Sequence, residues 1–328
     1  MIITKTPVRI SFLGGGTDYP EYFERHPGST LGTAINRYAY INVTETHPIF
    51  DYKYRISYKQ AEVVDKIDEI QHPSVKACLK FLDIKEHLEI HYQGDWPART
   101  GLGSSSTFTI GLLNTLYAFL DKKVDNRQLA KDAIYVEREI IKERVGWQDQ
   151  IWAAFGGMAR IDFHGDQFTY KPIEISKERK TEFHERLLMF YTGITRFAHD
   201  ILDEQIEETR KMSNDSALAD MNDFVSEGVK ILESGKIADF GPMLHENWKI
   251  KKSLSSKISN DERNDAYDKA LKLGATGGKI LGAGGGGFLL LFAQPENHKK
   301  IISALKPLTP MNFDFCDHGS KIIFNTNK

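Results

Sequence analysis

The chain has 328 residues, 41% hydrophobic and 27% charged, and its 43 basic and 45 acidic side chains leave a net charge of −2. This is the composition of a soluble globular protein long enough for two domains, and its charge argues against a nucleic-acid partner, which would favour a basic face. Two cysteines, Cys78 and Cys316, form no disulfide or zinc pattern and point to a reducing cytoplasm; no apolar run reaches the ~20 residues that span a bilayer, and the first residues lack the regions of a signal peptide.

Residues 2–13 alternate, with Val8, Ile10 and Phe12 on one side and Arg9 and Ser11 on the other, and read as a strand. The strand runs into Gly14-Gly15-Gly16-Thr17-Asp18-Tyr19-Pro20. Such a loop can hold the Asp18 carboxylate close to whatever the backbone approaches; it can equally be a turn whose aspartate caps the next helix. Strands are expected within 33–44 and 54–58, a helix from His72 to Leu82, and a strand from Leu88 to Tyr92.

The stretch from Pro97 through Gly101, Leu102, Gly103, Ser104, Ser105 and Ser106 then opens a helix, because Leu112-Leu113, Leu116-Tyr117 and Phe119-Leu120 recur at helical spacing. A glycine-serine turn before a buried helix is an anion site. The first N–H groups lack partners, the helix dipole adds roughly half a positive charge, and serine hydroxyls add donors or meet a metal. An ordinary serine-capped helix has the same pattern.

A second helix is expected from Asn126 to Val145. On it Glu137 is ringed by Ala133, Ile134, Ile140 and Ile141, so its carboxylate needs a partner, either an arginine or a metal ion. Past Gly146, Asp149 sits among Trp147, Trp152 and Phe155. That setting suits a general base, and it also suits a helix N-cap. Residues 158–174 read as a hairpin and 186–191 as a strand, followed by the turn Thr192-Gly193-Ile194-Thr195-Arg196. Charged helical segments at 199–212, 218–234 and 237–252 lead to a glycine run, 282–287, a buried strand at 288–292, a helix at 296–305 and a last strand at 321–324. The composition shift near 180 suggests two domains, 1–180 and 181–328, and no Pro/Ser-rich linker separates them.

Gly282-x-Gly284-x-x-Gly287 matches the dinucleotide fingerprint in letters only, since a strand follows it where a helix is required. The Walker pattern fails at Leu273 and Ile280. Taken together and in order, Pro7 to Tyr19, Pro97 to Ser106 and Gly282 to Gly287 resemble the three motifs of the GHMP small-molecule kinases. That resemblance implies an α+β fold of two domains. The N-terminal one would be ribosomal protein S5 domain 2-like with a left-handed βαβ crossover, and the C-terminal one ferredoxin-like. It further implies ATP in the cleft with its phosphates on the Gly101 loop, Mg²⁺ held by Ser105 and Glu137, Asp149 as the base, and Arg9 beside it near the γ-phosphate.

The acceptor side would be formed by Gly15, Gly16, Thr17 and Asp18 with Gly284 and Gly285. The triple glycine before Thr17-Asp18, and the turn ending at Arg196, look like those of the family's D-glycero-D-manno-heptose 7-phosphate kinases. This implies a sugar phosphate whose anomeric hydroxyl attacks ATP, with Arg196 as a contact for its phosphate. An unphosphorylated sugar of the fucose or galactose type, or a non-catalytic sensor with this fold, are the alternatives.

Overall fold

The structure, a computed structural model, describes residues 1–97, 100–193, 199–255, 258, 261–282 and 286–326. Its strands make two sheets. In the first, β1 (Ile2–Leu13) and β2 (Gly28–Glu45) form a long antiparallel centre, joined through the first glycine loop and the single turn α1 (Pro20–Phe23). A hairpin of β3 (Tyr54–Ser57) and β4 (Ala61–Val64) follows, then α2 (Pro73–Phe81), then β5 (Leu88–Gly94), which lies parallel to β3 and antiparallel to β2. Helices α3 (Ser104–Phe119), α4 (Asn126–Tyr135) and α5 (Gln148–Phe155) precede a second hairpin, β6 (Met158–His164) and β7 (Gln167–Pro172), with β6 paired to the start of β2.

After α6 (Lys177–Glu185) the second sheet begins with β8 (Leu187–Tyr191). Four helices intervene: α7 (His199–Arg210), α8 (Asp215–Glu233), α9 (Phe240–Ser253) and α10 (Asp261–Lys272). Then come β9 (Ala275–Ile280), β10 (Phe288–Ala293), α11 (Pro295–Ala304) and the short β11 (Thr309–Pro310). In chain order these four strands lie 4-1-3-2, every neighbour antiparallel, which is the ferredoxin-like arrangement. The last strand, β12 (Lys321–Asn325), leaves this sheet and pairs with β1. Residues 321–325 thus belong to the first sheet.

The alternation in β1 has a consequence for the site. Val8, Ile10 and Phe12 pack into an apolar cluster shared by both sheets, with Phe12 edge-on to Phe183 at 5.3 Å and to Phe240 at 5.8 Å. Burying rings of this size is worth about 1.5–3 kcal/mol each, so the two units are held by a continuous core. The opposite side of β1, carrying Arg9 and Ser11, is also buried. It meets helices, not water, and its polar groups face the cleft. The helix expected to reach Val145 ends sooner: α4 widens into a π-helical turn over Val136–Ile140 that carries the fully buried Glu137. Such turns concentrate at functional sites because the extra residue re-aims a side chain.

Candidate active site

The three glycine-rich stretches meet at one place. The Arg9 N–H in the first donates to the Leu102 carbonyl in the second at 3.1 Å. Gly101, at φ +82°, lies so close to the third that a Cβ there would sit 2.3 Å from the Leu281 carbonyl; a Cβ on Gly287 would sit 2.1 Å from that of Thr100. Glycine is required at 101 on two counts, a left-handed backbone and the close approach of another chain segment. Gly101→Ala is expected to cost about 1–3 kcal/mol of stability, read as a lower Tm in thermal denaturation. Gly103, at φ +76°, is the N-cap of α3 and offers no side chain to its first turn. The ordinary capped-helix alternative is thereby excluded, and the first-turn amides keep their anion-binding character.

Under this turn Arg9 and Asp149 form a two-pronged pair: Nε donates to Oδ1 at 2.7 Å and Nη2 to Oδ2 at 2.8 Å, while Nη1 donates to the Gly101 carbonyl at 2.6 Å. The Arg9 side chain is 6% exposed and that of Asp149 24%. The guanidinium is thus buried behind a carboxylate that reaches the cleft. Asp149 lies in the first turn of α5, where the helix dipole favours an acid, and a Cβ on Gly103 would touch its Oδ2 at 3.0 Å. The second glycine loop and this carboxylate therefore lie side by side, with no room for a side chain between them.

Asp18 is buried close by. It accepts from the Gly16 N–H at 2.9 Å and from Gln148 Nε2 at 2.9 Å. Burial raises its pKa, and the negative charge of Asp149 adds to this; Lys251 opposes it. Gly146 is constrained by close approach alone, since a Cβ there would fall 2.0 Å from Asp18 Oδ2. Thr17 is the exception among the expected acceptor residues. Its hydroxyl bridges the Gly14 and Ser29 carbonyls at 2.8 Å each and accepts from the Ser29 N–H, so it braces the loop from inside.

Glu137 has no arginine partner among the described residues. It accepts from Ser106 Oγ at 2.8 Å and Gln150 Nε2 at 2.5 Å, and its Oε1 has no partner. Burial pushes its pKa up to about 7. The hydroxyl against Glu137 belongs to Ser106, and Ser105 is exposed on the first turn of α3. Leu102, expected at the cofactor, turns its side chain into the core and offers only its backbone. Pro97 and Ser104 border a recess formed with Tyr38, Tyr92 and Trp96. Arg196, Gly284 and Gly285 lie outside the described residues.

Several site groups escaped the sequence. Gln148 and Gln150 hold the two buried carboxylates. Two buried lysines approach the first glycine loop from the second unit: Lys251 Nζ donates to the Gly15 carbonyl at 3.3 Å and Lys279 Nζ to that of Phe12 at 2.9 Å. A signal for Lys251 was present. It continues the apolar stripe Leu244, Trp248 of α9, where an exposed lysine would not fall.

Residues 73–157 match the GHMP kinases N terminal domain and residues 229–307 the GHMP kinases C terminal domain. The chain is 30% identical to D-glycero-alpha-D-manno-heptose 7-phosphate kinase of Campylobacter jejuni over 98% of both proteins. It is 25% identical to galactokinase of Pyrococcus furiosus over 93% of its own length and 92% of the relative's. Among solved structures, a D-glycero-D-manno-heptose 1-phosphate kinase from Bacteriodes thetaiotaomicron superposes with a TM-score of 0.80 at 21% identity, covering 99% of each chain. Lactococcus lactis galactokinase complexed with galactose does so with 0.76 at 17%, covering 98% of this chain and 94% of the other. At those identities the likeness is one of fold, and no helix among the described residues is long and apolar enough to cross a membrane. Three glycine loops converging on an arginine–aspartate pair, two domain matches in the same order and a full-length relative at 30% identity make this chain a member of the GHMP kinase family.

Proposed function

We propose that the chain is an ATP-dependent sugar kinase that phosphorylates the anomeric hydroxyl of D-glycero-D-manno-heptose 7-phosphate, giving the 1,7-bisphosphate and ADP in the cytoplasm. The observation that carries the chemistry is the Arg9–Asp149 pair set beneath the uncapped first turn of α3. The amides of that turn bind the triphosphate. Asp149 takes the proton of the attacking hydroxyl as its oxygen bonds to the γ-phosphorus and the bond to the β,γ-bridging oxygen breaks. Arg9 orients Asp149 and offsets charge on the transferring group.

Mg²⁺ fits the residues present: Glu137 keeps one unpartnered buried oxygen, the Ser106 hydroxyl is bonded to its other oxygen, and Ser105 precedes Ser106 on the same first turn of the helix. One carboxylate and a hydroxyl suffice for an ion that retains waters and phosphate oxygens, and when bound it neutralises charge on those oxygens. The acceptor lies on the Gly15, Gly16 and Asp18 side. The phosphorylated heptose is preferred as acceptor because of the Campylobacter relative, and its product suits the synthesis of nucleotide-activated heptose. The test is ADP release with a panel of sugars and sugar 7- and 6-phosphates. Heptose 7-phosphate is expected to have the largest kcat/KM by a factor of about 10² or more. Equal use of the dephosphorylated sugar removes the phosphate claim, and a maximum at galactose or fucose replaces the acceptor.

A further inference from the structure

Five charged groups meet where the second unit touches the first glycine loop. Arg9 and Asp149 form the pair described above, and Asp18 is buried beside them. The other two, Lys251 of α9 and Lys279 of β9, are 6% and 5% exposed. Both ammonium groups donate to carbonyls at the turn of this loop, that of Gly15 and that of Phe12. Among the described residues the cluster holds three cations and two carboxylates. Charges buried in this way are screened little by solvent, so their field reaches the cleft they border.

The electrostatics agree with the count. Burial, aided by the charges of Lys251 and Arg9, pushes Lys279 down to about 7, with Asp18 alone opposing; burial takes Lys251 to about 8. The charged groups facing Lys279 are Arg9 on β1, Asp18 on the loop and Lys251 on α9. Its hydrogen-bonded neighbour β10, Phe288–Ala293, brings no titratable side chain. From α10, Tyr267 turns to His245.

Building on the kinase reading above, we infer that Lys251 and Lys279 are positioning residues: they fasten the acceptor loop from the second unit and, as a charged pair, set the cleft's preference for an anionic acceptor. They act through the loop carbonyls and their field, from behind the surface the acceptor meets. Gly15, which lacks a side chain in front of Ser11 and Gln148, leaves that surface open.

The test compares Lys279→Met, Lys251→Met and Lys279→Arg with the wild type, using a sugar phosphate, its dephosphorylated form and ATP as varied substrates. Each methionine variant is expected to raise KM for the sugar phosphate about tenfold or more, with kcat within about threefold and KM for ATP unchanged. The kcat/KM ratio of phosphorylated to dephosphorylated sugar falls accordingly. Lys279→Arg is expected to keep the ratio. In the wild type kcat/KM for the sugar phosphate should fall between pH 7 and 9 as the lysines lose their protons, and Lys279→Arg should flatten that fall. Unfolding does not mimic this, because a loss of folded enzyme lowers kcat with every substrate alike and leaves the ratio between the two sugars unchanged.

An unchanged acceptor ratio in both methionine variants overturns the inference, as does a rise confined to KM for ATP, which would give the charge to the nucleotide. Should the wild type use no sugar phosphate, the acceptor reading falls, and inorganic phosphate then serves as the probe. A phosphate-induced rise in Tm that is lost in Lys279→Met keeps the lysine pair as an anion device. No rise in the wild type overturns the pair itself.

Discussion

Asp149→Asn is expected to lower kcat by about 10²–10⁴-fold while KM for both substrates stays within a few-fold. The amide matches the carboxylate in shape and still accepts one hydrogen bond from Arg9, so the turn over Gly103 should survive. What it loses is the ability to take a proton. It also places an N–H where Nε or Nη2 of Arg9 now donates at 2.7 and 2.8 Å, which loosens the guanidinium. The two causes separate in a cycle with Arg9→Lys. If Asp149 served only to hold Arg9, the single variants would lose equal activity and the double variant no more. If Asp149 is the base, it costs more than Arg9→Lys. Turnover of Asp149→Asn within threefold of wild type would remove the base assignment.

How far the site could be read from the chain varies by element. The glycine loops were legible because their conformations forbid other residues: Gly101 and Gly103 need positive φ, and Gly14 at φ +80° would otherwise strike the Ser29 carbonyl at 2.1 Å. Strand β1 was legible from its alternation, but the burial of its polar Arg9 side was not, because only the helices packed over that side exclude water from it. β9 escaped notice because it reads Ala-Thr-Gly-Gly-Lys-Ile. Its glycines admit neighbours, since a Cβ on Gly277 would lie 1.9 Å from the Gly241 carbonyl of α9 and one on Gly278 2.4 Å from the Leu290 carbonyl of β10. α6, charged nearly all round, buries only Phe183 and leaves no periodic stripe to find. The return of β12 to β1 is a long-range pairing with no local signal at all. Residues whose role is to hold another side chain, such as Gln148 and Gln150, become visible only once the carboxylates they serve are placed.

Glu137→Gln is expected to separate stability from activity in opposite directions. Burial pushes the carboxyl up to about 7 in the folded chain against an ordinary 4.5, because it penalises the charge more than Thr109, Ser106 and Gln150 relieve it. Between those two values the folded state holds the proton that the unfolded state has lost, so stability falls as pH rises through the window and stays low above it. At pH 8 the deficit is on the order of 3 kcal/mol, and a neutral glutamine, able to accept from Ser106 and Gln150 as before, removes it. Tm at pH 8 should therefore rise, by several degrees, with no gain at pH 4.5. Turnover should fall about 10²-fold or more, since the charge that burial resists is the one a divalent cation would offset. The two readings of Glu137 part on a third measurement: Mg²⁺ with a non-hydrolysable ATP analogue should raise the wild-type Tm well above its rise in the glutamine variant. A variant that loses stability while keeping activity would make Glu137 a scaffold for Ser106 and Gln150 and nothing more.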